Sequence, residues 1–295
     1  MSKKIEFYKN RSISDRFSVA IDFLKQNWKV LYKNILLGGL PLALIMGFLT
    51  TWLSASQLTG NVPGVILPAM LAMLISFLIM IYMYSMTCSI LFHYERDELT
   101  ETTGWDDLKD TFSRFAGKTV LISVFMFFPV AIISGLLIST IIGSAVVLSA
   151  GSTTGALAGS LLLLFILLVL FAVFAPSFTM LYFPAYFSDK GILQSIIASF
   201  VLGFKNWGSL FVAIILASIV LMVAYLIFSM PHQVIALFSR GNITVFSYFF
   251  AALSAIGTML TYPAMILIFA FQYFSIVEKE EGISLQSQLN EFENL

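Results

Sequence analysis

Six long stretches of this sequence are apolar and contain no Asp, Glu, Lys or Arg: about 34–53, 66–92, 119–148, 157–187, 209–230 and 244–277. A helix needs about 20 consecutive apolar residues to cross a membrane, because no water is present in the hydrocarbon to bind an exposed backbone group. Runs such as LLLLFILLVLFAVF (161–174) do not alternate between apolar and polar residues, as the strands of a β-barrel would. We therefore expect an all-α integral membrane protein with six transmembrane helices.

The composition agrees with this class. Hydrophobic residues make up 59% of the 295 residues and charged residues only 11%, with a mean hydropathy of +0.94. An ordinary soluble domain has about a quarter charged residues. The lipid bilayer is therefore the expected solvent for most of this chain.

The basic residues predict the orientation of the chain in the membrane. Fifteen of the sixteen Lys and Arg residues precede the first span, follow the sixth, or lie between spans two and three or four and five, and Arg240 is the exception. Lys and Arg accumulate in cytoplasmic loops of membrane proteins. Both termini are therefore expected in the cytoplasm, with external loops near 54–65, 149–156 and 231–243. No cleavable signal peptide is expected, because the first apolar stretch begins only after residue 33.

The sequence has a threefold internal similarity. VAIDFLKQNWKVLYKNILL (19–37), RFAGKTVL (114–121) and LGFKNWGSL (202–210) each pass from a polar, amphipathic stretch into an apolar one. Leu31, Leu121 and Leu210 align at spacings of 90 and 89 residues, and this alignment places Asn27-Trp28 on Asn206-Trp207. A fixed period of this kind predicts repeated structural units. Each unit would be an amphipathic cytoplasmic helix followed by a helical hairpin.

These units define the predicted organisation of the chain. Residues 1–33 are a cytoplasmic N-terminal segment with an amphipathic interfacial helix, 34–277 form the six-span membrane domain, and 278–295 form a cytoplasmic tail. The repeats cover about 12–94, 103–187 and 189–277. The apolar stripe of the first amphipathic helix can pack on lipid or on protein. Thr103 and Asp106 are a candidate capping box at the start of the second amphipathic helix.

The second spans of the last two repeats carry matching prolines. Pro176 aligns with Pro263 at an offset of 87 residues, and the same offset aligns Tyr186 with Tyr273. Both stretches approach 31–34 residues, or roughly 46–51 Å as a helix, well beyond a hydrocarbon core of roughly 30 Å. These helices are expected to tilt, to kink at the proline or to extend into the cytoplasm.

Polar residues within the spans are neutral, and the candidate cavity-lining residues are Tyr82, Thr87, Thr179, Tyr182, Tyr262 and Gln272. Their hydroxyl and amide groups can line a cavity for an amphiphile, or they can bind neighbouring helices to one another. Small residues at every fourth position, such as Ser247, Ala251 and Ala255, predict close helix packing.

The sequence contains no recognisable catalytic or metal-binding set. No charged residue lies within a span, which argues against proton relays, ion-coupled transport and catalysis inside the membrane. His93 and His232 are predicted on opposite sides of the membrane, and Cys88 is the single cysteine, so a shared metal site is not expected. No GxGxxG, P-loop, HExxH or GxSxG motif occurs. We predict no catalytic residue, no metal and no cofactor.

Two charged clusters are candidate contact surfaces on the cytoplasmic side. The stretch ERDELTETTGWDDLKD (95–110) is a docking loop for a basic partner, a weak divalent-cation site or a solvated loop. Its acidic residues are Glu95, Asp97, Glu98, Glu101, Asp106, Asp107 and Asp110. Lys25, Lys29 and Lys33 are candidate contacts for anionic lipid headgroups, or they serve only to fix the topology.

The amphipathic helix, the Asn-Trp pair and the following span in VAIDFLKQNWKVLYKNILL and SIIASFVLGFKNWGSLF (195–211) resemble uncharacterised six-span bacterial inner-membrane proteins. Among these, the pattern is similar to the membrane region of some glycerophosphoryl diester phosphodiesterases. The resemblance implies a bacterial inner-membrane location and partnership with separately encoded proteins. It does not imply phosphodiesterase activity, because the segments outside the spans are too short for the soluble catalytic domain of that family.

Taken without a structure, these features favour a non-enzymatic membrane scaffold or accessory protein that binds lipid at the cytoplasmic leaflet. The alternative is a transporter or channel for a neutral or amphiphilic small solute. Membrane lipids and a protein at the cytoplasmic face are the expected partners, and no nucleic-acid partner is expected. A polar cavity between the spans would favour the alternative, and tightly packed helices would favour the scaffold.

Overall fold

The computed structural model describes residues 4–58, 62–149, 154–188, 190–238 and 244–283, and its regular elements in these ranges are all α-helices. They are α1 (Ile13–Leu58), α2 (Val62–Glu95), α3 (Trp105–Ser149), α4 (Thr154–Thr179), α5 (Phe183–Phe187), α6 (Ile192–Lys205), α7 (Trp207–Phe228), α8 (Met230–Phe238) and α9 (Val245–Glu281). The all-α prediction is confirmed for this part of the chain. Residue 240, parts of the three predicted external loops and the tail from residue 284 lie outside the described residues.

Five helical segments in the described ranges are long and apolar enough to cross a membrane: Ile13–Ser56, Gly64–Glu95, Leu161–Phe187, Trp207–Phe228 and Val245–Glu281. This is the pattern of a multi-pass membrane protein. The third predicted span, 119–148, lies within α3, and most of its side chains beyond Phe127 are outside what the structure describes. The sixth crossing and the threefold repeat therefore stay predictions.

The three predicted transitions from an amphipathic stretch to an apolar stretch differ in structure. Helix α1 continues without interruption from its amphipathic part into its apolar part, and α3 does the same. At 46 residues, α1 is about 69 Å long, which is more than twice the thickness of the hydrocarbon core. The third transition coincides with a helix boundary, because α6 ends at Lys205 and α7 begins at Trp207. The first amphipathic helix is therefore an extension of the first span rather than a separate element.

The two aligned prolines also have different consequences. Helix α9 continues through Pro263, whereas α4 ends at Thr179, three residues after Pro176. The fourth predicted span contains a further proline, Pro184, in the first turn of α5. Proline is tolerated in a first turn, because the N–H group that it lacks has no partner there. A second helix can therefore begin at this point, while α9 has no second proline to start one.

The chain divides into two compact units, Met1–Gly117 with Val212–Leu295 and Lys118–Phe211. In the first unit, α9 packs against α1 and α2, and α1 packs against α2. Residues 266–277 of α9 are all buried and form the core of its cytoplasmic half, in the predicted orientation. In the second unit, α6 packs against α4 and α5, and the Ser199 hydroxyl donates to the Met180 and Leu181 carbonyls, both at 3.2 Å, where α4 has ended.

Helices α1 and α9 approach closely at small residues. A Cβ atom on Gly47 would lie 2.8 Å from the Cα atom of Ala252, so only glycine fits at this position without a backbone shift. Ser247 and Ala251 are buried beside this contact, and the Thr51 hydroxyl donates to the Ser247 carbonyl at 3.5 Å. This is the close packing that the small residues of span six predict.

The segment before α1 packs on the ends of α2 and α9. Phe7 is buried, and its ring centroid lies 4.8 Å from that of Phe274, 5.4 Å from that of Phe271 and 5.7 Å from that of Tyr94. The Arg11 backbone N–H donates to the Ser275 hydroxyl at 3.0 Å. The predicted cytoplasmic end of the first unit is therefore closed by an aromatic cluster.

Candidate functional site: a polar cavity in the first unit

A cavity of about 370 Å³ lies between the second half of α1, the middle of α2, the corner between α7 and α8, and the first half of α9. Its volume corresponds to about a dozen water molecules at roughly 30 Å³ each, within the range of small-molecule sites. The polar side chains that line it are those of Thr50, Ser54, Ser76, Tyr225, Ser229, His232, Gln233, Ser254, Thr258 and Tyr262. Among these described lining residues, none is an Asp, Glu, Lys or Arg. The cavity is polar and uncharged.

The corner between α7 and α8 forms the wall of this cavity on the side that is predicted to be external. Helix α7 ends at Phe228, whose ring occupies the space beside Gly257 of α9, where a Cβ atom would lie 2.2 Å away. The Ser229 N–H donates to the Tyr225 carbonyl at 2.8 Å, and α8 begins at the next residue with Pro231 in its first turn. Because only glycine leaves room for the Phe228 ring, α9 fixes the point at which the chain turns into α8.

Helix α8 is short, and two of its polar side chains, His232 and Gln233, line the cavity. His232 is 4% exposed and lines the cavity, whereas Leu237 and Phe238 are 69% and 83% exposed. The sequence placed His232 in an external loop. The structure instead places it in a helix that covers the cavity.

Hydroxyl groups connect α9 to this corner. The Ser254 hydroxyl donates to the Ser229 hydroxyl at 2.9 Å, and the Thr258 hydroxyl lies 3.5 Å from the same oxygen. Ser254, Thr258 and Tyr262 are spaced by four residues, so their side chains share one face of α9. This face supplies a row of hydrogen-bonding groups along the cavity.

His232 is the buried polar group of the cavity that lacks a partner. Neither of its ring nitrogens forms a hydrogen bond with any residue that the structure describes. Burial lowers the pKa of His232 below its ordinary value, and the Ser247 backbone opposes this shift only in part, without a hydrogen bond of normal geometry. The imidazole is therefore neutral at pH 7, with one nitrogen as a donor and the other as an acceptor. A buried group of this kind gains free energy when a ligand supplies the missing bonds.

Known proteins do not identify this site. The chain matches no family model, no curated protein and no solved structure. The chemistry of the cavity must therefore be inferred from its own residues.

Tyr262 is the residue from the predicted cavity set that lines this cavity. The Tyr82 hydroxyl instead donates to the Asn34 carbonyl at 2.6 Å and accepts from the Gly38 N–H at 3.0 Å, which joins α2 to α1. The Gln272 carbonyl oxygen accepts from the buried Arg16 guanidinium at 2.6 Å. Tyr82 and Gln272 therefore connect elements within the first unit.

The remaining predicted cavity residues have local or packing positions. The Thr179 hydroxyl donates to the Pro176 carbonyl at 2.7 Å, in the last turn of α4. The Tyr182 and Ser123 hydroxyls lie 2.9 Å apart within the second unit. Thr87 is buried in α2, and its hydroxyl has no hydrogen-bond partner among the described residues. These three side chains lie in other parts of the molecule than the cavity.

The acidic stretch 95–110 forms several contacts within the chain. Asp97 pairs with Lys4 at 2.6 Å, and Glu98 lies 2.8 Å from the His93 ring. The Glu95 backbone carbonyl also accepts from the Lys4 amine at 3.2 Å. Part of the candidate docking loop therefore holds the N-terminal segment.

The other acidic residues of this stretch lie at the start of α3 or on the surface. Asp107 accepts from the Gly104 N–H at 2.8 Å and so caps α3, one residue later than the predicted Thr103 and Asp106 box. Asp106 lies 3.6 Å from Lys109, and both Glu101 and Asp110 are exposed. In the described part of the chain, no group of three or more His, Cys, Asp or Glu side chains is placed to hold a metal ion.

The candidate headgroup contacts Lys25, Lys29 and Lys33 are exposed on α1. Two apolar side chains of the same segment, Ile21 and Trp28, are also exposed, at 47% and 53%. The opposite side of the segment, which includes Phe23 and Leu31, is fully buried. The amphipathic part of α1 therefore packs its main stripe on protein, while one apolar edge faces outward beside the lysines.

Sequence reasoning did not select Ser229, His232 or Ser254 for the cavity. A signal was present, because Ser254, Thr258 and Tyr262 recur at four-residue spacing within an apolar span. The contribution of α8 could not be predicted in the same way, because the segment 231–238 is short and lies between two spans. Whether such a segment turns inward depends on how α7 and α9 pack.

Proposed function

We propose that this chain is a non-enzymatic integral membrane protein that binds an uncharged or amphiphilic small molecule in the cavity of the first unit. The observation that carries the proposal is the polar, uncharged cavity with the buried His232 at its wall. It supports the solute-binding alternative over the scaffold, because tightly packed helices would have left no space of this size.

The chemistry of the lining supports binding rather than catalysis. Hydroxyl, amide and neutral imidazole groups donate and accept hydrogen bonds, but an acid–base or nucleophilic mechanism needs a second activating group beside the imidazole. The described lining residues contain no carboxylate or thiol that could act in this way. We therefore assign the cavity a role in holding or passing a solute.

A bacterial inner-membrane location with cytoplasmic termini is part of the same proposal. It is supported by the positions of fifteen of the sixteen basic residues and by the sequence resemblance described above. In this orientation the cavity opens toward the outer half of the membrane, and the Phe7 cluster lies at the cytoplasmic end.

A cavity-filling substitution tests the function. Ala255→Phe places a ring in the cavity, and Leu253→Phe places the same ring on an exposed face of α9 as the matched control. The full chain would be released from membranes and examined by native mass spectrometry. We expect the wild type and the control to carry a non-protein molecule at about one per chain, and the Ala255→Phe variant to lose it. An equal bound mass in all three proteins, or none in the wild type, would contradict the proposal.

A role at the cytoplasmic leaflet is a second candidate, supported by the exposed Lys25, Lys29 and Lys33 beside the exposed Trp28. Each lysine near an anionic surface contributes about 1 kcal/mol of attraction. Replacing all three by Gln is expected to reduce the phosphatidylglycerol retained by the purified protein, whereas Lys109→Gln should leave it unchanged. Equal retention in both variants would exclude this role.

A further inference from the structure

A second cavity of about 220 Å³ adjoins the polar one between α7 and α9. The two cavities share Tyr225, Thr258 and Tyr262. The second cavity extends toward the middle of both helices, where Leu221 and Ala224 of α7 form its wall. The combined space therefore has a polar end at α8 and a more apolar end along α7.

The apolar end lies between two helices that are each long enough to span the membrane. Tyr225, at the point where the two cavities meet, is 51% exposed, so the space is open on this side. Tyr225 lies three residues before the end of α7 but within the predicted span 209–230, so an opening beside it faces the outer part of the hydrocarbon rather than water. A molecule that is soluble in lipid can thus reach the polar end by entering between α7 and α9.

The two ends are far enough apart to accommodate different parts of one molecule. Leu221 precedes the end of α7 at Phe228 by seven residues, or about 10 Å along the helix axis. A space of about 220 Å³ corresponds to roughly seven water molecules at about 30 Å³ each, which is room for a segment of one alkyl chain. This geometry suits a molecule with one chain and a compact head.

We propose, building on the function assigned above, that the ligand is a single-chain amphiphile with an uncharged, hydroxyl-bearing headgroup. Its head binds beside His232, Ser229 and Ser254, and its chain lies in the groove between α7 and α9. A hydroxyl group can donate or accept, so one hydroxyl of the headgroup can bond to one nitrogen of the neutral imidazole, while the Ser247 backbone lies beside the ring. Binding of a charged headgroup is energetically unfavourable, because the described lining residues offer no opposite charge to offset the desolvation of the headgroup.

Three probes test the class of ligand, with the full chain in phosphatidylcholine nanodiscs and native mass spectrometry as the readout. 1-Monooleoylglycerol has the proposed head and chain, glycerol has the head alone, and oleate has a charged head on the same chain. We expect one molecule of 1-monooleoylglycerol to bind per protein molecule, and glycerol and oleate to bind at least tenfold more weakly. Binding of glycerol or oleate at equal or lower concentration would overturn the proposed ligand class.

Variants of both ends test the orientation of the bound molecule. His232→Ala removes the headgroup partner, and Ala224→Phe fills the groove, while Leu226→Phe adds the same ring at an exposed position of α7. We expect at least a tenfold loss of 1-monooleoylglycerol affinity in the first two variants, as one lost buried hydrogen bond or a blocked chain site implies, and no loss in the third. Unchanged affinity in His232→Ala or in Ala224→Phe would overturn the assignment of that end.

The two proposals fail in different ways. If the natural bound mass is lost in Ala255→Phe but 1-monooleoylglycerol does not bind the wild type, the cavity binds a solute and the ligand class proposed here is wrong. If the wild type carries no natural mass, the proposed function fails, and if it also binds none of the three probes, the proposed ligand class fails with it. Circular dichroism of each variant identifies any that has lost its helical fold. If His232→Ala has lost it, Ser254→Ala replaces this variant, and if Ala224→Phe has lost it, Leu221→Trp replaces that one.

Discussion

His232 is buried in a polar site without a hydrogen-bonding partner in the described part of the chain. A buried polar group in this state costs about 1–3 kcal/mol relative to one that is bonded. Proteins rarely retain such a cost without a compensating interaction, and a bound ligand is the interaction that the cavity can provide.

This environment predicts a dependence of stability on pH. The folded state lowers the pKa of His232, so the unfolded chain binds more protons than the folded chain as the pH falls below about 6.5. Stability is therefore complete above this pH and decreases below it, until the pH has passed the lowered folded pKa. We expect the thermal unfolding temperature of the wild type to fall between pH 7.5 and pH 5.5, and that of His232→Gln to fall less.

His93→Gln is the matched control, since it removes the other histidine, which lies beside Glu98 and Thr111. The same decrease in unfolding temperature for the wild type and for His232→Gln would rule out His232 as the cause.

Single residues of the cavity were only partly predictable from sequence. Tyr262 and Tyr82 both read as neutral polar groups in apolar spans, yet Tyr262 lines the cavity and Tyr82 binds the backbone of α1. The difference lies in which face of each helix meets its neighbours. The rotation of each helix about its own axis depends on packing against residues that are distant in the sequence. The sequence of one helical segment does not specify this rotation.

At the level of elements, the contact between α1 and α9 holds the cavity walls in place. Gly47→Ala would bring a methyl group into the backbone of Ala252, and such overpacking typically costs about 1–3 kcal/mol. We expect this variant to unfold at a lower temperature than the wild type in detergent. Gly208→Ala in α7 is the matched control, because nothing lies within 4 Å of the added carbon and alanine favours the helix. Equal losses in both variants would show that the close approach is not important for stability.

The N-terminal segment is the element that the Phe7 cluster holds. Phe7→Ala removes four ring contacts and is expected to release residues 5–11, since truncation of a buried Phe costs about 3–5 kcal/mol. Hydrogen exchange measured by mass spectrometry should then accelerate at the Ile5 and Arg11 amides, which donate to Tyr94 and Ser275. Lys9→Ala changes an exposed side chain of the same segment and should leave both amides protected. Protection in both variants would mean that the backbone bonds hold the segment without the ring.

The elements were predictable as far as their periodicity extends. Apolar stretches correctly indicated helices, but the continuity of α1 through residue 31 and the end of α4 at Thr179 were not evident. No glycine or proline interrupts the first of these positions, so the helix continues wherever its apolar side finds a partner. At the second position, Pro184 allows a new helix to start, an effect that is visible only once α5 is known.

At the scale of the whole molecule, the charge distribution predicts which ends of the helices face the cytoplasm. Single cysteines at Ser113 and Phe238, both exposed, would be introduced into a Cys88→Ala chain. A membrane-impermeant maleimide applied to intact cells should label the Phe238→Cys protein, and should label the Ser113→Cys protein only after the cells are opened. Labelling of Ser113→Cys in intact cells would reverse the orientation and place the cavity in the inner half of the membrane.

A structure of the chain determined in native lipid would show directly whether a ligand occupies the cavity. We expect elongated density that begins between α7 and α9 near Leu221 and ends within hydrogen-bonding distance of the His232 ring. A cavity closed by the side chains of α8 and α9, with both His232 nitrogens bonded to protein groups and no space for a ligand, would contradict it.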